Sequence, residues 1–220
     1  FIGLNFTSAS NSAFITGLNV VMVPVISALY LKKKPPFRAV IGVMLAAAGL
    51  FFLSGGFSGI WNIGDTLTLL CAVCFAFQII FIDKFTQESD ARQLAVVQII
   101  SAAVMYGILC AGYGFSVEPV PVVINARVIL TALYTGAMGT AFAFGVQTIA
   151  QQYTTPTRTA LILTFEPVFG AVFAMTIPGP GGVTESFTLN TGMGCLLIFI
   201  GVIITVVRFR DLRKTVAENP

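Results

Sequence analysis

The sequence contains no histidine, and only 10% of its 220 residues are charged. The first absence removes whole classes of chemistry. Without histidine there is no H-E-x-x-H zinc site, which disfavours a membrane metalloprotease, while composition leaves serine chemistry open. No G-x-S-x-G marks a hydrolase nucleophile either. The second absence argues against a soluble domain, in which about a quarter of the residues are charged. Cysteine is scarce as well. Cys71, Cys74, Cys110 and Cys195 all lie in apolar segments, and the single C-x-x-C has no second pair. They read as small packing residues, so no metal and no cofactor are expected. Nothing points to a nucleic-acid partner or to an enzyme.

What is present is apolar: 56% of the chain is hydrophobic, with 20 phenylalanines. Apolar segments run at approximately 9–31, 38–54, 65–82, 93–114, 128–150, 157–178 and 188–207. Such runs are long enough to cross a bilayer as helices. Breaker-rich stretches separate them, among them "KKKPPF", "SGGFSG", "QESDA" and "PGPGG". Asp65 fits an N-cap for the third segment, and Thr155-Pro156 fits a cap and first turn for the sixth. The expected fold is all-α, a polytopic membrane bundle with seven visible spans.

Alternating connectors put eleven of the twelve Lys and Arg on one side, Arg127 alone being on the other. By the positive-inside rule that side is cytoplasmic. The "KKK" run and the 208–220 tail then lie inside, and the C-terminus is cytoplasmic in an inner (plasma) membrane.

Two internal matches suggest a repeat. "NFTSASNSAFI" (5–15) resembles "QYTTPTRTALI" (152–162), at an offset of 147 residues. "GVMLAAAGLFF" (42–52) resembles "GCLLIFIGVII" (194–204), each with two glycines seven apart. The matches fall in spans one and six, then two and seven, so the repeat is five helices long. An odd number inverts the second copy, a hallmark of secondary transporters with a site near the midplane. Carried back, the offset places nearly three further spans ahead of Phe1, on the order of 60–90 residues.

On the segments "TSASNSAFITGLNVVMVPVISALYLKKKPP" (7–36) and "TTPTRTALILTFEPVFGAVFA" (154–174), with the paired glycines, the chain resembles the EamA family of the drug/metabolite transporter superfamily. The resemblance implies a ten-helix fold of two inverted five-helix repeats. Residues 1–54 would end the first repeat, 55–64 form an outer linker, 65–207 the second repeat and 208–220 a cytoplasmic tail. It also implies carriage of small molecules by alternating access, commonly outward.

Candidate site residues are the polar ones inside spans. Glu166 is the acidic residue nearest the centre of any span, and Pro167 follows it. A charge there costs roughly 2.5–3.5 kcal/mol on insertion scales, so it usually faces the bundle interior. Pro167 cannot donate to the carbonyl of Leu163, which favours a bend. Two readings stand: a substrate or proton site, or a helix-packing residue. Asn19 matches Glu166 when counted from the repeated threonine, with Thr16 one turn earlier and Pro24 as a second hinge. Gln78, Gln147 and Tyr134 join them as substrate-binding candidates. Gly136 and Thr140 are read as packing, and Gly42, Gly49, Gly194 and Gly201 as close helix contacts. Expected partners are the lipid bilayer, a small metabolite such as an amino acid, and protons as coupling ion. A seven-helix receptor-like protein or a channel is the competing reading. The rhodopsin form of it lacks the needed lysine, since 188–207 contains none.

Overall fold

The computed structural model describes residues 6–7, 9–32, 34–55, 61–116, 125–177 and 186–206. The proposed tail 208–220, half of the proposed linker (56–60) and the "PGPGG" loop lie outside them. All regular structure among the described residues is helical, with no strand. In order these are α1 (Ala9–Gly17), α2 (Asn19–Tyr30), α3 (Phe37–Leu53), α4 (Ile63–Phe85), α5 (Ala91–Ser116) and α6 (Ala126–Tyr134). A π-helical segment (Thr135–Phe142), α7 (Ala143–Gln151), α8 (Pro156–Leu163), α9 (Phe165–Thr176) and α10 (Leu189–Val206) follow. Six apolar spans of at least 18 residues result, three of them built from joined helical pieces; α3 is a seventh, of 17 residues.

The helix starts follow the local chemistry. Pro36 and Thr155 are extended ahead of α3 and α8, and Pro156 occupies the first turn of α8, where its missing N–H costs nothing. Thr155 holds the cap position without a side-chain hydrogen bond. Asn125 caps α6, its side chain accepting from Val128 N at 2.9 Å. At α4 the expected cap is displaced. Asn62, not Asp65, is the cap: Asp65 N donates to Asn62 Oδ1 at 3.0 Å, and Asn62 N donates to Asp65 Oδ2 at 2.9 Å. This is a reciprocal capping box with Asp65 in the N3 place. Thr7 Oγ1 donates to the other oxygen of Asp65 at 2.5 Å, so the buried carboxylate also anchors the chain ahead of α1. Asn62→Ala is expected to destabilise the protein by about 1 kcal/mol, the usual worth of such a cap. The check is a lower thermal midpoint in detergent, with Asn62→Ser recovering most of it.

The described residues fall into two compact units, 1–80 with 155–220, and 81–154. The first has the core. Val20 and Val23 of α2, Ala46 and Leu50 of α3, Ile79 of α4, Leu161 of α8 and Ile198 of α10 are buried together. Here α2 packs on α8, and α3 packs along α10. The α3–α10 contact is made by backbone. A Cβ at Gly49 would stand 2.7 Å from the Gly194 carbonyl oxygen, and one at Gly194 would stand 2.7 Å from that of Gly49. Gly42 and Gly201 are related in the same way, at 2.5 and 2.6 Å. The pairing of 42 with 201 and 49 with 194 makes the helices antiparallel. At such distances no side chain fits, so only glycine permits the approach. Around this seam Phe14 meets Phe51 edge-on with centroids 5.7 Å apart, and Phe165 of α9 meets Phe199 of α10 at 6.2 Å.

The second unit holds the last turn of α4, then α5, α6, the π segment and α7, with α5 packed on α7. Its π segment changes which residues of this span share a face. Gly136, Thr140, Ala143 and Gln147 share a face only in an α-helix. With i→i+5 bonding each residue turns through less than an α-helical step, so the stripe is dealt around the axis. Gly136 and Thr140 are exposed, and a Cβ at Gly136 would meet nothing within 4 Å. Of the cysteines, Cys71, Cys74 and Cys110 are exposed on their helices and Cys195 is half-buried on α10.

Candidate functional site

Two spans of the first unit are interrupted midway. In the first, α1 ends at Gly17 and α2 begins at Asn19. Leu18 between them has ψ −11°, and its N–H is shared between the carbonyls of Phe14 (3.1 Å) and Ile15 (3.2 Å). In the other, α8 ends at Leu163 and α9 begins at Phe165. Thr164 has ψ −6°, and its N–H reaches Leu161 O at 3.2 Å, an i−3 bond. Its hydroxyl donates to the same carbonyl at 2.6 Å. The interruptions lie 146 residues apart in sequence.

Their causes differ. Pro167 sits three residues past Thr164, and its ring and missing N–H act on the carbonyl of Leu163, the last residue of α8. Pro24 does not coincide with the first interruption. The helix α2 runs through it, and the break comes six residues earlier, beside Gly17. Gly17 is held against α3: a Cβ there would lie 2.8 Å from Leu50 Cδ1.

The candidate residues distribute around these breaks. Thr16 and Asn19 flank Leu18, and both are half-buried. Glu166 is the second residue of α9, and it is exposed. It shares its face with Phe169, Gly170 and Phe173, which are also exposed. Gln78 is half-buried on α4, next to the buried Ile79 and Ile80. Among the described residues, no hydrogen bond joins Glu166, Asn19, Thr16 and Gln78 to one another. Gln147 and Tyr134 belong to the second unit. There Tyr134, 70% exposed, is the last residue before the π segment, and Gln147 is half-buried on α7.

Sequence reasoning passed over several groups. Thr164 is one, though a hydroxyl three residues before a mid-span proline is a readable signal. Asp83 is another. It is buried in the last turn of α4, and Gln87 Nε2 donates to it at 3.3 Å. Thr148 and Gln151 are buried on α7, where the candidate Gln147 is half-buried. A cavity of about 310 Å³ also went unread. It lies in the first unit, against Phe14 of α1, Leu50 of α3, Pro167 and Met175 of α9 and Thr191 of α10.

Comparison with known proteins gives these features a setting. Residues 1–55 and 62–207 match the EamA-like transporter family. A protein of Archaeoglobus fulgidus named an uncharacterized transporter is 36% identical over 94% of this chain and 63% of its own length. The uncharacterized transporter YyaM of Bacillus subtilis is 21% identical over 92% of this chain and 66% of its own. The chain thus spans less than two thirds of the length of either relative. A crystal structure of a protein 17% identical superimposes with a TM-score of 0.73, over 94% of this chain and 71% of that one, and shows the same fold. The family match runs through both units and nearly every described helix, and each of those spans is apolar. The chain is therefore an integral, multi-pass membrane protein, and it belongs to the EamA-like transporter family.

Proposed function

We propose that this chain is the helical body of a secondary active transporter that exports small metabolites, such as amino acids, by alternating access. The observation that carries the reading is the pair of interrupted spans. Helices broken at corresponding places mark midplane sites in carriers. Here one break is followed at once by the Glu166-Pro167 pair, and the other by Asn19. Pro167 is the hinge of the first of these, and Pro24 lies further along the second span. Glu166, Asn19, Thr16 and Gln78 are the proposed substrate contacts in the first unit, and Gln147 and Tyr134 are proposed separately as contacts within the second. Protons are the proposed coupling ion, exchanged at Glu166. The antiparallel seam of Gly42, Gly49, Gly194 and Gly201 supports two inverted repeats, with 1–54 as the end of the first and 65–207 as the second, because its contacts are reciprocal, as a two-fold relation requires.

Efflux and uptake of a metabolite panel, in a strain lacking its own exporters, tests the activity. Saturable flux that follows an imposed gradient is expected, and unsaturable passive flux would mean a channel. The orientation is tested by single cysteines on a cysteine-free background. Positions 33 and 212 should label only from the cytoplasm and position 61 only from outside. External labelling at 33 or 212 would overturn the topology.

A further inference from the structure

The cavity in the first unit is not where Glu166 points. On α9 it is lined by Pro167, Ala171 and Met175, one stripe at four-residue spacing. Eight residues of helix make the slot about 12 Å long. Glu166 lies on the neighbouring exposed face with Phe169 and Phe173. Phe14, Leu50 and Leu53 form the other walls, and among the described residues no ionisable side chain lines the slot. Hydroxyls lie at one end, from Ser54 after α3 and from Ser186 and Thr191 at the start of α10. Ser54 Oγ already donates to Phe51 O at 3.1 Å, so what it retains is acceptor capacity. The hydroxyls of Thr191 and Thr188 share one hydrogen bond at 2.8 Å. The volume, about 310 Å³, is roughly twice that of the 150 Å³ cavity known to admit benzene.

We infer that this slot is a binding site for a neutral, ring-sized apolar molecule carrying one hydrogen-bond donor, an aryl alcohol in type. Its body fills the length beside Ala171, and its hydroxyl donates to the rim at Ser54. An ammonium or a carboxylate would surrender its hydration to walls that offer no opposite charge, so charged analogues are rejected. The inner end of the ligand rests on Pro167, just past the interruption at Thr164. The site requires neither the carrier mechanism nor any role for Glu166, so its test reads binding alone.

The test uses one chemical series differing only in its end group: 3-phenylpropanol, 3-phenylpropylamine and 3-phenylpropanoate. Binding to the whole chain in nanodiscs is followed by saturation-transfer NMR with competition. Saturable binding of the alcohol is expected, with both ions at least tenfold weaker. Ala171→Phe fills the middle of the slot and should weaken the alcohol at least tenfold. Met175→Trp blocks it nearer the rim and should do the same if Ala171→Phe does not fold. Val104→Phe places similar bulk on the exposed face of α5 and should change nothing. Alcohol binding that survives both slot substitutions, or tighter binding of the amine, would overturn the assignment. So would native mass spectrometry that finds a phospholipid bound to the wild type and lost in Ala171→Phe.

Discussion

Replacing Gly49 and Gly201 together by leucine should abolish the folded protein. Each Cβ would press on the backbone of the facing helix. At Gly49 the obstacles are Gly194 O at 2.7 Å and Ile198 N at 2.9 Å; at Gly201 they are Gly42 O at 2.6 Å and Ala46 N at 3.2 Å. Neither helix can move a carbonyl aside as it would a flexible side chain. Overpacking of an ordinary core costs about 1–3 kcal/mol. Two such insertions on one rigid seam should exceed that and push α3 off α10. Loss of the monodisperse peak in fluorescence-detected size exclusion is the expected result. Gly49→Ala alone should lower the thermal midpoint by several degrees without abolishing the peak. A double leucine variant with wild-type stability would show that the seam does not hold the first unit together.

The second large effect concerns function. Glu166→Gln keeps the size and most of the hydrogen-bonding capacity of the side chain but cannot titrate. If Glu166 binds proton and substrate in exclusive turns, this variant should insert and fold normally. Flux driven by a pH gradient should fall at least tenfold, and the remaining flux should lose its pH dependence. Pro167→Ala restores an N–H facing the carbonyl of Leu163 and should slow turnover with less effect on binding. The alternative, a packing role, reverses the pattern: Glu166→Gln transports normally and Glu166→Ala fails to fold. Wild-type rate and pH dependence in Glu166→Gln would end the coupling proposal. The exposure of Glu166 favours a test in which the fold is left intact.

Much of the architecture is legible from residue order. Spans are written as uninterrupted apolar runs, and Pro156 marks the start of α8 to within a residue. The α4 cap was misplaced by three residues because Asn62 and Asp65 are both good capping types, and only the reciprocal bonds show which is which. Glycines seven apart are visible as a pattern, but which helix they touch is decided by packing. The break at Leu18 has no proline beside it, and Pro24 drew attention to the wrong turn. A π segment has no side-chain signature: "TGAMGTAF" would serve an α-helix as well, and its winding decides which residues share a face. The slot beside Pro167 is lined by ordinary apolar residues, and only tertiary structure makes a hollow of them. Glu166 stood out by its charge, yet the direction it faces depends on what surrounds α9.

An interrupted span also has an electrostatic consequence. Cutting a helix in two creates a fresh N-terminus in the middle of the bilayer, bearing about half a positive charge. The first turns of α2 and α9 are such ends, and neither has a side chain capping its free N–H groups. Glu166 occupies the first turn of α9. At an exposed helix end such as this one the dipole favours an anion by about 0.3–1 kcal/mol, a fraction of the roughly 2.5–3.5 kcal/mol that a mid-membrane charge costs. The break thus puts the Glu166 side chain beside a helix N-terminus, which a continuous helix would not provide. At the start of α2 the corresponding residue is Asn19, which carries no charge to cancel that field. The two broken spans are alike in backbone and differ in the side chain at the break, a neutral amide at Asn19 and a titratable carboxyl at Glu166.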